Sequence, residues 1–349
     1  MSRPILPQIL IVAAAAVLAC SAPPTASAQK SRAKLTYADG SPLPMTPWGD
    51  PDLQGMWPIM HLIATPLQRN PKYGERRFLN DEEWKQAEAV LKRRDESYER
   101  ENQNNKIGMG HWAESTTRVE AARLTSLISY PADGRVPALT PRGEELSKEF
   151  HSDDTSKVFD SPADFDAWDR CITRGLPSSM LPYNYNNGIQ IIQTPGYVVI
   201  RLEMIHETRI VPLDGKPLDP AIKQWLGASR GHFEGSTLVV DTSNFTGKVA
   251  MTIFGIPGAP RKDMPTTTGL KITERFTPVN RERIDYEMTI EDPEVLTDKW
   301  TVSYPMFLDR EYRFYEYACH EGNTAVRNYI EASRFERGLS AAKPKDDSE

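Results

Sequence analysis

The sequence contains few cysteines, no block of basic residues and no long apolar run outside its N-terminus. Only three of the 349 residues are cysteines. The formal net charge is −6 and lysine and arginine are not clustered, so the composition argues against a nucleic-acid partner. The apolar stretch over residues 5–19 contains a proline and is too short for a stable transmembrane span.

Motifs of several enzyme classes are also missing. The chain has no G-x-S-x-G nucleophile motif and no phosphate-binding loop between a strand and a helix. The stretch "HETR" lacks the second histidine of a zinc protease helix, and no close ligand spacing supports a metal. We therefore predict neither a cofactor nor a metal, although a metal joining His206, His232 and His320 stays open.

The first residues have the features of a secretory signal. Arg3 precedes the apolar stretch, and the small residues Ala26–Ser27–Ala28 form a cleavage site before Gln29. Residues 1–28 are therefore predicted to be a signal peptide of a periplasmic or secreted protein. A lipoprotein attached through Cys20 is the alternative.

Two cysteines remain after such a cleavage. In an oxidising compartment, Cys171 and Cys319 are expected to form one disulfide. Two unpaired buried thiols are the other interpretation.

The body of the chain divides by composition into four further segments. Residues 29–165 read as a coil and helical arm that packs on the rest, and Asn80 with Glu83 marks the start of its clearest helix, over 80–104. An antiparallel β domain over 166–322, a helix over 323–338 and a disordered tail over 339–349 follow.

The fold class is predicted to be mainly β. Alternating segments separated by turn residues have no helical crossovers between them, which favours antiparallel pairing. We expect a lipocalin-like antiparallel barrel or a strongly curled sheet, with a long N-terminal arm and flanking helices. The strand candidates are 188–194, 197–212, 236–245, 269–277, 282–291, 299–306 and 311–319.

Alternation places a titratable side chain on the inner face of three of these strands. His206 shares the even positions of 197–210 with apolar residues, Glu274 lies on the apolar face of its strand, and His320 follows the inner positions of 312–320. Burial in one lumen would shift their pKa values towards acid–base catalysis. The structural alternative is a satisfied core histidine and a paired carboxylate.

Other candidate ligand-binding residues lie near Cys171 and in a later loop. Arg170 and Arg174 can bind carboxylates through paired hydrogen bonds, or they pair with acids of the chain itself. Tyr183 can act as an acid and Tyr185 can orient a ligand. Trp225, in "QWLGASRGHFEG", is a candidate lid or core anchor.

Several stretches together resemble a large family of exported, mostly uncharacterised bacterial proteins. They are "PDLQGMW", "DRCITRGLP", "QTPGYVVI", "EMIHETRIVPLDG", "WLGASRGHFEGSTLVVDTSNF", "TIEDP" and "YACHEGN", and they span most of the chain after residue 28. Phe233 and Ser236 depart from the commoner W-E-G-D-T-L-V-V pattern. The resemblance implies export and a common fold, and it implies no reaction.

Three functions remain open from the sequence. The first is a cofactor-free lyase, isomerase or hydrolase acting on a small or sugar-derived molecule in a barrel cavity. His206 would be its base, His320 or Tyr183 its acid, Glu274 an orienting group and Arg174 an anion clamp. The second is a periplasmic binding protein for an apolar or acidic ligand. The third is an envelope scaffold without a small-molecule site.

Overall fold

The computed structural model describes residues 35–104, 110, 113–114, 123–148, 158–251, 253, 255–260 and 264–339. The predicted signal peptide, Cys20 and residues 340–349 of the predicted tail lie outside the described residues. The described helices are α1 (Asp81–Gln103), α2 (Pro141–Leu146) and α3 (Ala325–Glu336). Asn80 and Glu83 form a reciprocal capping box, which satisfies free N–H groups at the start of α1.

Ten strands form two antiparallel sheets. The first has the order β1-β3-β4-β5 and the second the order β2-β10-β9-β8-β7-β6. The strands are β1 (Gly55–Met56), β2 (Ile128–Tyr130), β3 (Ile189–Thr194), β4 (Tyr197–Leu202), β5 (Thr208–Pro212), β6 (Ala228–Glu234), β7 (Thr237–Ser243), β8 (Lys271–Asn280), β9 (Arg283–Glu291) and β10 (Trp300–Phe307). Antiparallel pairing follows from the short connections between successive strands.

The prediction of a mainly β, antiparallel fold is confirmed, but the prediction of a closed or strongly curled barrel is wrong. Among the described residues, no ladder joins the two sheets into a barrel. Their facing sides share one apolar core, which Phe276, Tyr286, Trp300 and Tyr304 fill with large side chains. Because a core is packed to crystal-like density, little room is left for a ligand lumen between the sheets.

A buried ion pair crosses this core from one sheet to the other. Arg209 of β5 donates from Nη1 to Oε1 of Glu274 on β8 at 3.0 Å, and its Nη2 contacts Oε2. The hydroxyl of Tyr286 donates to Glu274 at 2.8 Å, while Ser229 and Thr242 accept from Arg209. The predicted inner-face position of Glu274 is therefore correct, but the structural alternative, a paired carboxylate, describes its surroundings.

The expected single strand over 197–212 is a hairpin of β4 and β5, and the predicted inward position of His206 is wrong. A 3₁₀ turn at Met204–His206 separates the strands, and Ile205 and His206 take positive φ angles of 53° and 44°. These left-handed residues shift the alternation by one position. Arg209 is therefore buried, whereas His206 is exposed.

Two further expectations about strands are wrong. Residues 311–319 form no strand, so His320 is not on an inner face; the segment has aromatic residues on both sides of its alternation and is held by side-chain contacts instead. Conversely, β6 was not predicted because its sequence "ASRGHFE" is poor in apolar residues. Backbone pairing with β7 holds these residues as a strand, although their composition does not favour one.

The predicted disulfide between Cys171 and Cys319 is present, with its Cα atoms 5.7 Å apart. It links two parts of the chain that are 148 positions apart. No helix in the described part of the chain has the length and apolar character needed to cross a bilayer.

We expect Glu274→Gln to lower the free energy of unfolding by about 3 to 5 kcal/mol, because Arg209 would keep a buried charge without a counter-ion. Urea unfolding measures the change. Glu234→Gln is the control, since it removes the partner of Arg275 in an exposed ion pair and should leave the unfolding midpoint almost unchanged. Equal effects of the two substitutions would contradict the role of the buried pair.

Candidate functional site

An irregular segment over residues 312–319 lies against the β4–β5 hairpin and is held at three places. The backbone N–H of Tyr315 donates to Oε1 of Glu203 at 2.9 Å. Nδ1 of His206 bonds the carbonyl oxygen of Tyr317 at 3.0 Å, and Cys319 ends the segment in the disulfide. Side-chain contacts thus replace a β ladder in fixing this segment.

Gly188 permits the close approach of the segment to the end of β3. A Cβ atom at this position would lie 2.4 Å from a ring carbon of Phe314 and 2.7 Å from Oε2 of Glu203. Any larger residue would push the segment away from the hairpin.

The hairpin and the segment enclose an open cleft of about 550 Å³, which we call the His cleft. His206 comes from the left-handed turn and His320 from the residue after the disulfide, and both side chains line it. The sequence predicts both histidines on inner faces, and the structure places them along one cleft at the surface. Charged side chains complete its lining: Arg201, Glu203, Glu316 and Glu321.

The hydrogen bond of His206 sets which of its ring nitrogens is free. A carbonyl oxygen only accepts, so Nδ1 of His206 carries the proton that it donates to Tyr317. In the neutral ring, Nε2 then keeps its lone pair. An imidazole oriented in this way can accept a proton from a bound molecule.

A second cleft, of about 380 Å³, adjoins the His cleft at Tyr317 and Cys319, and we call it the aromatic cleft. Tyr183 lies at its centre, with the ring of Trp168 at 5.1 Å and that of Tyr185 at 5.2 Å, both edge-on. Burial raises the pKa of Tyr185, as does its hydrogen bond to Tyr317. Its phenol therefore stays protonated and serves as a hydrogen-bond donor or orienting group. The other aromatic side chains of the lining are Phe159, Phe165 and Tyr329.

Arg174 is buried directly behind the rings of this cleft. Its guanidinium carbon lies 5.3 Å from the ring centre of Trp168 and 5.0 Å from that of Tyr183. Nη1 donates to the carbonyl of Leu181 at 3.0 Å, whereas Nε and Nη2 have no hydrogen-bond acceptor among the described residues. Burial lowers the pKa of Arg174 to about 10, so it remains charged at neutral pH.

Glu207 organises the backbone that carries Arg174. Its carboxylate accepts from the Thr173 hydroxyl at 2.5 Å, from the Arg174 backbone N–H at 2.7 Å and from the Ser179 hydroxyl at 2.5 Å. The hairpin is thereby joined to "DRCITRGLP". Because each oxygen already has a partner, Glu207 is suited to positioning rather than to proton transfer.

A pair of carboxyl groups shares one phenol beside the His cleft. The hydroxyl of Tyr312 contacts Oε2 of Glu203 and lies 3.0 Å from Oε1 of Glu114. Burial and the nearby Glu203 raise the pKa of Glu114. One phenol proton cannot serve two carboxylates, and the raised pKa of Glu114 favours its protonated form, which can donate to Tyr312.

Four of the predicted catalytic and binding residues line the two adjoining clefts, as does Cys319 of the predicted disulfide. His206, His320, Tyr183 and Tyr185 line them, and Arg174 lies behind the aromatic rings.

Glu274 lies in the core, away from both clefts, so the role of an orienting group predicted for it does not fit its position. Arg170 is half-buried and donates from Nε to the Asp166 carbonyl at 3.1 Å. Trp225 lines a different cleft, and His232 contacts Glu234 outside all of these clefts.

Sequence reasoning missed the roles of Glu203, Glu207 and Tyr312. The first two were assigned to the outer face by unbroken alternation. Glu203 leaves the alternation because it has helical backbone angles at the start of the turn, and Glu207 is brought inward by the one-position shift at Ile205 and His206. No glycine, asparagine or proline in the sequence indicates that turn.

Comparisons with protein-family models, with curated proteins and with solved structures find no match for this chain. Within the described ranges, no three His, Cys, Asp or Glu side chains are arranged to hold a metal ion.

We expect the stability of Glu114→Gln, compared with that of the wild type, to increase as the pH rises from about 4 to about 8. A raised pKa favours the folded state in acid, and that contribution is lost once Glu114 ionises. The amide keeps a donor for Tyr312 and does not ionise. Melting temperatures across this range test the effect, with exposed Glu311→Gln as the charge-matched control. A difference in melting temperature between wild type and Glu114→Gln that does not change with pH would contradict the raised pKa of Glu114.

Replacing both Cys171 and Cys319 with serine is expected to lower the free energy of unfolding by about 4 kcal/mol, because a long loop is no longer closed in the unfolded chain. Urea unfolding with and without a reducing agent measures it. The reducing agent should act on the wild type and leave the double variant unchanged.

Proposed function

We propose that this protein is an exported enzyme that moves protons on a small or sugar-derived molecule, as a lyase, isomerase or hydrolase. The supporting observation is His206, whose Nδ1 is held by the Tyr317 carbonyl while Nε2 is left without a partner among the described residues. The ring lines a cleft that also contains His320. Two imidazoles in one cleft can supply a base and an acid at neutral pH.

The backbone at His206 supports this proposal independently. Ile205 is β-branched and buried, yet it takes the left-handed conformation, which costs free energy of about 1 to 3 kcal/mol. Such outliers are concentrated at functional sites. Here the unfavourable conformation turns His206 out of the core and towards the cleft.

The proposed roles follow from position. His206 acts as the base and His320 as the acid. The aromatic cleft binds the ring of the substrate, since flat aromatic faces pack against sugar or aromatic rings, and the hydroxyls of Tyr183 and Tyr185 orient it. The site lies at the surface rather than in a barrel cavity. Arg174 contributes a fixed positive charge from behind the rings.

His206→Asn is the sharpest test of the base. Asparagine tolerates a positive φ and its amide can keep the bond to Tyr317, but it has no group at the position of Nε2. On a panel of 4-nitrophenyl glycosides and esters, we expect the wild type to turn over at least one compound, with a rate that falls in acid. The variant should lose about 100-fold or more in kcat with KM little changed.

His232→Asn is the matched control, because it removes an exposed histidine outside both clefts. It should keep the wild-type rate. Equal rates for wild type and His206→Asn would overturn the proposed base.

A binding protein is the second candidate, and the aromatic cleft favours it. Seven aromatic side chains line this one cleft, and aromatic lining is typical of small-molecule binding sites. If wild type turns over none of the panel but binds a phenyl glycoside, and Tyr183→Leu weakens that binding, the protein is a binder and His206 is not a base.

A further inference from the structure

The two sheets separate between β5 and β6, and a third cleft of about 510 Å³ opens there, which we call the seam cleft. Gly231 of β6 packs closely against Val211 and Leu213, where an added Cβ would lie within 2.9 Å of both side chains. Residues 208–210 and 228–230 both line the cleft. The seam cleft shares no lining residue with the His cleft or the aromatic cleft.

The charged side chains that line the seam cleft are all cations. They are Arg209, Lys223 and Arg230, and no carboxylate of the described residues lines it. The chain as a whole carries a formal net charge of −6. Glu274 balances the charge of Arg209, so the cleft attracts anions through Lys223 and Arg230.

Arg209 adds a donor that the fold itself leaves unused. Its side chain is 2% exposed, and its two terminal nitrogens bond Glu274, Ser229 and Thr242. Its Nε has no hydrogen-bond acceptor among the described residues. A buried N–H without an acceptor is costly, so an acceptor oxygen that reached this nitrogen would be stabilising.

Trp225 supplies an apolar face beside these donors. Trp225 is half-buried on the loop over 223–227. Backbone hydrogen bonds from Gln224 to Asn244 and from Thr246 to Gln224 hold this loop to the residues that follow β7. A tryptophan held on an anchored loop is preorganised for stacking against a ring.

We propose that the seam cleft is a second binding site, for a small organic oxyanion attached to a ring. The carboxylate or phosphate lies between Lys223 and Arg230, beside Arg209, and the ring packs on Trp225. The site is independent of the proposed enzyme activity because its residues are separate.

Isothermal titration of the full chain with four probes tests the site: phenyl phosphate, benzoate, inorganic phosphate and benzyl alcohol. Phenyl phosphate, benzoate or both should bind, and the stronger of the two identifies the oxyanion. Inorganic phosphate should bind about tenfold more weakly than phenyl phosphate, and benzyl alcohol should not bind detectably. Added salt should weaken the binding.

The double variant Lys223→Gln/Arg230→Gln should weaken the binding by about tenfold or more, since it removes charge-assisted hydrogen bonds. Lys271→Gln/Arg275→Gln on β8 is the matched control, with the same change in net charge outside the cleft. Trp225→Leu should abolish the preference for phenyl phosphate over inorganic phosphate.

The proposal is overturned if the wild type binds neither ring-bearing anion, or if both double variants lose affinity equally. His206→Asn should bind the probes as the wild type does. Because His206 lies outside the seam cleft, this measurement tests the binding site separately from the proposed catalytic base.

Discussion

The left-handed turn at Ile205 and His206 is the constraint on which the rest of this structure depends. It reverses the alternation between β4 and β5, so that Glu207 and Arg209 point into the protein and His206 points out. A buried β-branched residue adopts this conformation only when its surroundings hold it there. The bonds that hold it are those of the hairpin itself, from His206 N–H to the Glu203 carbonyl and from Leu202 N–H to the Glu207 carbonyl.

Buried carboxylates then connect the hairpin to distant parts of the chain. Glu203 binds the segment that carries Tyr315, Glu207 binds the loop that carries Arg174, and Glu274 crosses the core to Arg209. Each of them is satisfied by hydrogen bonds, as burial of a charge requires. Positioning is therefore their role, whereas Nε2 of His206 has no partner among the described residues.

Much of the fold was predictable because local rules agree with the tertiary structure there. The capping pair of α1, the alternation of β8 to β10 and the pairing of Cys171 with Cys319 each follow from a local or compositional signal. Prediction failed where pairing overrode composition. β6 is polar but is held by β7, and residues 311–319 alternate but are held by Glu203 and the disulfide.

For the candidate site, the sequence by itself determined which chemical groups are present: two histidines, two tyrosines, an arginine and one cysteine pair near them. It also determined that burial would alternate along each strand. Only the tertiary structure decided the phase of that alternation in β5, because the left-handed turn exchanges the two faces of the strand that follows it. The same turn directs His206 to a surface cleft that His320 also lines, and the space between the sheets is filled by aromatic side chains and a buried ion pair.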